Sequence, residues 1–166
     1  MPSSKAVRNL SDPDLRFLVP HTVIKQTLAF LQEQGQLLHE GAVLWAGKIT
    51  DTGFQVRHVV IPEQYTTTLS FRIPNEEMFR LLRWANEHDV VFGVQVHSHP
   101  EEAFHSDADD EHCILQHRGA ISIVVPNCGN VQDFFGEAAV YSLDLGNDWR
   151  RIPPSEVAPR FVTEEA

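Results

Sequence analysis

Val94-Gln95-Val96-His97-Ser98-His99-Pro100 is an apolar run that ends in two histidines spaced two apart. A run of this length and character reads as a buried strand. Residues i and i+2 of a strand point to one face, so both imidazoles project together from the strand end. Ser106-Asp107-Ala108-Asp109 follows, which places a carboxylate ten residues beyond His99. Two imidazoles and a carboxylate make three protein ligands, and a three-ligand zinc keeps its fourth position for water.

Working outward, the residues before this strand predict a helix over 76–87. Asn75 stands at its N-cap, Glu76 and Glu77 lie in its first turn, and Met78, Leu81, Leu82 and Ala85 form its buried stripe. Upstream, residues 42–49 and 54–61 predict a hairpin across the turn signal Asp51-Thr52-Gly53, with Phe54, Val56, His58 and Val60 on one face. Residues 63–73 are Thr-rich and lack a clear period, with room for a strand near 68–72. A first helix is expected over 21–34, after a short strand at Phe17-Leu18-Val19 and before Gly35 as its C-cap. Downstream, a third helix is expected over 107–117 with Ser106 as its N-cap, then strands at 121–125 and 139–143. The order predicts an α+β fold, a mixed sheet covered by helices. Residues 15–150 form the domain, 1–14 a mobile lead-in, and the proline- and charge-rich 151–166 a C-terminal tail.

The 166 residues suit one domain, and 42% hydrophobic residues supply a core. Thirteen basic against 23 acidic residues leave a formal charge of −10, which disfavours nucleic acid as a partner. Cys113 and Cys128 make no disulfide framework and read as small buried residues. No apolar stretch approaches membrane-span length, so no membrane partner is expected. Met1 to Ala6 has no apolar core behind its charge. The chain reads as cytoplasmic.

Zinc suits two imidazoles and a carboxylate, and it lowers the pKa of a bound water from ~16 to roughly 7. Hydrolysis also needs a base for the proton and a donor for the oxyanion. Ser106 and Asp109 are three apart and would lie on one helical turn. One is then free to coordinate while the other faces a substrate carbonyl. A hydroxyl aimed at the developing oxyanion is worth ~3 kcal/mol.

His97-Ser98-His99-Pro100 followed by Ser106-Asp107-Ala108-Asp109 resembles the signature of the JAMM (MPN+) metalloproteases: His-x-His-Pro, a short loop, then Ser-x-x-Asp, with a glutamate upstream. Glu40 precedes Gly47 by seven residues at the start of an early strand, as the family's glutamate does. The resemblance spans roughly residues 15–145. It implies the cytidine-deaminase-like JAMM/MPN fold, with His97, His99 and Asp109 as zinc ligands, Glu40 as general base and Ser106 as oxyanion donor. The family's loop before the serine is most often one residue longer. That count would land on Asp107 with Asp110 as ligand, whereas Ser106 and Asp109 match by residue type. Val43 stands where many members carry glycine.

The implied reaction is hydrolysis of the bond after the C-terminus of a ubiquitin-like protein. The resemblance is to the prokaryotic branch of small stand-alone domains, which often accompany ubiquitin-like activating and conjugating enzymes, including those of antiphage operons. Small peptides or sulfur-carrier conjugates are the alternative substrates. A non-catalytic binding scaffold is the other alternative, though scaffolds of this kind typically lose the ligands. His105, His112, Cys113 and His117 lie close in sequence but offer no second pair for a closed zinc site.

Overall fold

The computed structural model describes residues 9–106, 109 and 113–165. β1 (Phe17–Pro20) leads directly into α1 (His21–Gln36), then β2 (Ala42–Thr50) and β3 (Gly53–Val60) form the hairpin. Two very short strands follow, β4 (Tyr65–Thr66) and β5 (Phe71–Arg72), then α2 (Asn75–Glu87) and β6 (Val91–Ser98). After the loop come β7 (Ile121–Val125), α3 (Phe134–Glu137), β8 (Ala139–Leu143), β9 (Trp149–Arg151), α4 (Pro154–Arg160) and β10 (Phe161–Glu164).

Eight strands form one mixed sheet in the order β10-β1-β3-β2-β6-β7-β8-β9, and β4 pairs with β5 apart from it. β2 and β6 are antiparallel at the sheet's centre, and β6 and β7 are parallel. Strands buried on both faces read as continuous apolar runs. Accordingly Val43, Trp45, Val94, Val96, Ile121 and Ile123 pack in one core with Val23 and Leu31 of α1. Leu44, Ala46, Phe92 and Ala120 pack in a second core with Leu81 and Ala85 of α2. Helices thus cover both faces, and the expected α+β class holds. Trp45 fills the first core, and its indole N–H donates to the buried Thr27 hydroxyl at 2.8 Å, so its polar edge is satisfied.

Several sequence expectations are corrected by packing. Phe54 and Val56 face the α1 core, but His58 stacks edge-on against Trp84 of α2 and Val60 packs on the α2 core. The register pairs Ala46 with His58 and Gly47 with Val56, leaving Arg57 as an extra residue. One inserted residue reverses the in–out alternation of everything after it. α1 runs two residues past its predicted end, through Gly35. Gly35 is required by contact rather than as a cap, since a Cβ there would lie 2.5 Å from Cys128 Cβ. The cap residue of α2 is Pro74, with Asn75 already helical, and Leu82 is exposed.

Of the helix expected over 107–117, residues 107, 108 and 110–112 lie outside the described residues. Asp109 is helical, and residues 113–117 are not. The stretch expected as a tail is folded in. β10 pairs parallel with β1 from Phe17↔Phe161 to Pro20↔Glu164, and Phe161 stacks on Phe17 with ring centroids 4.9 Å apart. Of the lead-in, residues 1–8 lie outside the described residues, and Leu10 packs against the first core.

Gly47 sits on β2 opposite the β3 bulge. A Cβ there would stand 2.0 Å from the Gln55 carbonyl oxygen, an overlap that backbone must absorb. Gly47→Ala is expected to destabilise the fold by about 1–3 kcal/mol or more. Urea unfolding checks this, the outcome being a lower midpoint with an unchanged slope.

Candidate metal centre

The β2–β6 pairing builds the site. Ala42 stands opposite His97, and just beyond, the Ser98 N–H donates to the Gly41 carbonyl at 3.1 Å while the Gly41 N–H donates to Ser98 Oγ at 3.2 Å. These bonds fix Glu40, at the mouth of β2, against the end of β6. The ladder continues past β6, because the His99 N–H donates to the Val125 carbonyl at 2.9 Å. His97 and His99 therefore keep strand-like spacing, with ring centroids 5.2 Å apart. Phe71 of β5 packs on His97 at 5.4 Å, and Phe104 meets His99 edge-on at 4.9 Å.

Asp109 arrives from the loop after β6. Its Oδ1 is 3.2 Å from His97 Nε2 and its Oδ2 is 3.2 Å from His99 Nε2. Ser106 locks it from behind: the Ser106 N–H donates to Asp109 Oδ2 at 2.8 Å, and the Asp109 N–H donates to Ser106 Oγ at 3.2 Å. This reciprocal pair is the chemistry of a capping box, with aspartate in the usual glutamate position. The hydroxyl accepts in it, so its proton stays available to a further acceptor. Glu40 Oε1 lies 3.9 Å from His99 Nε2. All of Glu40, His97, His99 and Asp109 are buried.

The predicted ligand trio is therefore brought together, with Glu40 beside it. The ligating atoms of His97, His99 and Asp109 all lie within 4.8 Å of one another. Asp110, the other carboxylate that the loop count admits, lies outside the described residues, as does His112. Among the described residues this trio is the group of His, Cys, Asp and Glu side chains close enough to share an ion.

The residues fit a cation. Neither ring nitrogen of His97 makes a hydrogen bond, although the imidazole is 1% exposed and a carboxylate oxygen stands 3.2 Å away. A buried imidazole left without a hydrogen bond beside a buried carboxylate is a polar group that a bound cation would satisfy. Atoms bound about 2.0–2.1 Å from a tetrahedral ion lie about 3.3–3.4 Å apart, close to the 3.2 Å between each imidazole and the Asp109 oxygen that faces it.

The electrostatics follow from burial. Burial drives His97 toward its neutral form, which is the form that ligates. Burial also opposes charge on His99, but the hydrogen bond and charge of Asp109, with Glu40 nearby, outweigh it and raise the His99 pKa. Burial would raise the Asp109 pKa, yet the hydrogen bonds from His99 and the Ser106 N–H, with His97 close by, hold it well below the usual carboxylate range. Glu40 is pushed up to about 7, chiefly by burial, with His99 opposing and Asp109 adding to the rise.

Two contributors escaped the sequence reading. Phe71 lies in a stretch without a period, and nothing local announces its packing on His97. Gln95 is 2% exposed, and the signal that could have found it is a polar residue inside an apolar strand run. No helix among the described residues is long and apolar enough to cross a membrane.

Comparison with known proteins agrees with the geometry. Residues 23–137 match the model of a family described as prokaryotic homologs of the JAB domain. A Sinorhizobium fredii relative, probable metalloprotease y4jG, is 34% identical over 149 residues, covering 87% of this chain and 91% of the relative. The solution structure of protein DSY2949 from Desulfitobacterium hafniense superposes with a TM-score of 0.68 at 12% identity, covering 90% of this chain and 94% of that one, a likeness of fold. With its helix-covered mixed sheet, its buried His97-His99-Asp109 group and a family match that takes in Glu40 and all three of those residues, this chain belongs to the prokaryotic JAB-domain family.

Proposed function

We propose that the protein is a zinc-dependent isopeptidase or peptidase that hydrolyses the bond after the C-terminus of a ubiquitin-like protein. The observation that carries the metal-dependent part is the buried carboxylate of Asp109 facing both imidazoles, with Glu40 next to them. The metalloprotease name of the Sinorhizobium relative supports the same reading.

His97, His99 and Asp109 would hold the ion, and Ser106 fixes the Asp109 carboxylate through its backbone N–H. Bound there, zinc supplies Lewis acidity that polarises a carbonyl and makes water acidic near neutral pH. Glu40 accepts the proton of the attacking water and returns it to the leaving amine. Burial raises its pKa to about 7 in the metal-free protein, which favours its holding a proton between the two transfers. The Ser106 O–H donates to the carbonyl oxygen as negative charge develops there.

The ubiquitin-like substrate is favoured by the β4–β5 ribbon. It is docked beside the base, with the Glu40 N–H donating to the Thr67 carbonyl at 2.8 Å and the Gln64 amide making two 2.8 Å bonds to the backbone of Ala42. These strands pair only with each other among the described residues, and Tyr65 on β4 and Leu69 in the turn between them are exposed. An extended C-terminal tail can add to such a ribbon as a further strand.

The test is incubation with a panel of ubiquitin-like fusions and short peptides, with and without chelator. Chelator-sensitive release of the fusion partner is the expected outcome. Cleavage of short peptides alone would move the reading to a small-peptide or sulfur-carrier substrate, and chelator-resistant cleavage would contradict it.

A further inference from the structure

Gln95 lies two residues before His97 on β6 and points to the same face. Both polar atoms of its side chain are hydrogen-bonded. Nε2 donates to Ser122 Oγ at 3.1 Å, and Oε1 accepts from the backbone N–H groups of Ile114 at 2.9 Å and Leu115 at 2.8 Å. Gln95 and Ser122 are cross-strand partners on β6 and β7, and Ser122 is fully buried. Ser122 Oγ in turn lies 3.1 Å from His105 Nε2, while the His105 N–H donates to the Tyr141 hydroxyl at 3.0 Å. The His105 ring packs against Tyr141 and Trp149.

The chain carrying Asp109 therefore enters at His105 and leaves at Ile114 and Leu115. Both ends are tied to the same two side chains at the centre of the sheet. We infer that Gln95, acting with Ser122, is a positioning residue for the Asp109 carboxylate. The pair clamps both ends of the Asp109 segment in register with the imidazole two residues further along the same strand. Burying an amide in a strand is unfavourable unless every polar atom is used, as all are here.

This inference rests on the metal reading of His97, His99 and Asp109. Its test is a double-mutant cycle of wild type, Gln95→Ala, Asp109→Ala and the double variant. Each is titrated with Zn2+ against a chromophoric chelator, and with Co2+ for its absorption bands. Gln95→Ala is expected to raise the metal Kd about 10–100-fold, the range for groups that orient a ligand. In the Asp109→Ala background the same change is expected to cost less than about threefold, because a residue acting through Asp109 has nothing left to orient. An equal loss in both backgrounds overturns the inference, as does an unchanged Kd accompanied only by a lower melting temperature of the metal-free protein. Ser122→Ala, which removes one hydroxyl, carries the same cycle if Gln95→Ala does not fold. A wild-type protein that takes up no metal overturns the metal reading itself. Wild-type binding with an unaffected Gln95→Ala variant overturns this inference alone.

Discussion

Glu40→Gln is expected to leave metal uptake intact and to lower the hydrolytic rate by about 10²–10⁴-fold, the contribution of a positioned general base. The substitution keeps size and shape but removes the proton acceptor. Glu40 is 3.9 Å from His99 and outside the His97-His99-Asp109 group, so its replacement leaves those three side chains in place. The pH dependence follows from its environment. In the metal-free protein the carboxyl is pushed up to about 7 by burial, so below that pH the base is occupied by a proton. A bound cation draws the value down, which puts the acid limb of the rate profile at or below pH 7 and removes that limb in the variant.

The same group has a stability consequence. A carboxyl whose folded pKa is raised contributes stability that is present below its unfolded pKa, near 4.5, and is lost as pH rises through about 7. Metal-free wild type should therefore lose on the order of 2 kcal/mol from this group between pH 4.5 and 8, and Glu40→Gln should not. Thermal melts of both proteins in chelator at the two pH values measure it. Undiminished turnover in the variant would assign the base elsewhere.

His97→Ala is expected to abolish both metal uptake and hydrolysis, and to remove the effect of chelators on stability. A ligand that binds only the folded state stabilises it by about 4 kcal/mol at a thousandfold excess over Kd. For a domain of this size that is roughly 8–16 °C in melting temperature. Chelator should shift the wild-type melt by about this much. It should leave the variant where it is, because His97 and Asp109 are no longer both available. His97 is fully enclosed, with its imidazole against Phe71 and no hydrogen bond at either nitrogen, so the variant also opens a cavity and starts from a lower baseline. The chelator-induced difference, not the absolute melting temperature, is the quantity to compare.

The parts of this molecule written locally were legible beforehand. The hairpin announces itself through Asp51-Thr52-Gly53 between two apolar runs, and β6 through an unbroken apolar stretch that delivers two histidines. Glu40 is singled out by the family resemblance, through its seven-residue spacing to Gly47; the structure sets it 3.9 Å from His99 and gives that glycine its reason in the close approach of Gln55. Features set by contacts between distant segments were not legible. The pairing of β10 with β1 joins chain ends roughly 144 residues apart, and no local pattern distinguishes such a strand from a tail. The face reversal in β3 depends on a bulge opposite Gly47, which periodicity alone cannot register. Phe71 against His97 and Gln95 beneath the Asp109 segment belong to the same class, since each acts on a residue that another strand or loop brings to it.

The most direct measurement of the central claim is the metal content of the intact protein by native mass spectrometry, after purification without added metal and brief exposure to Zn2+. One zinc per chain in wild type and in Glu40→Gln, and none in the His97→Ala, His99→Ala double variant, is the predicted result. Full occupancy in the double variant, or no zinc in the wild type, would contradict it.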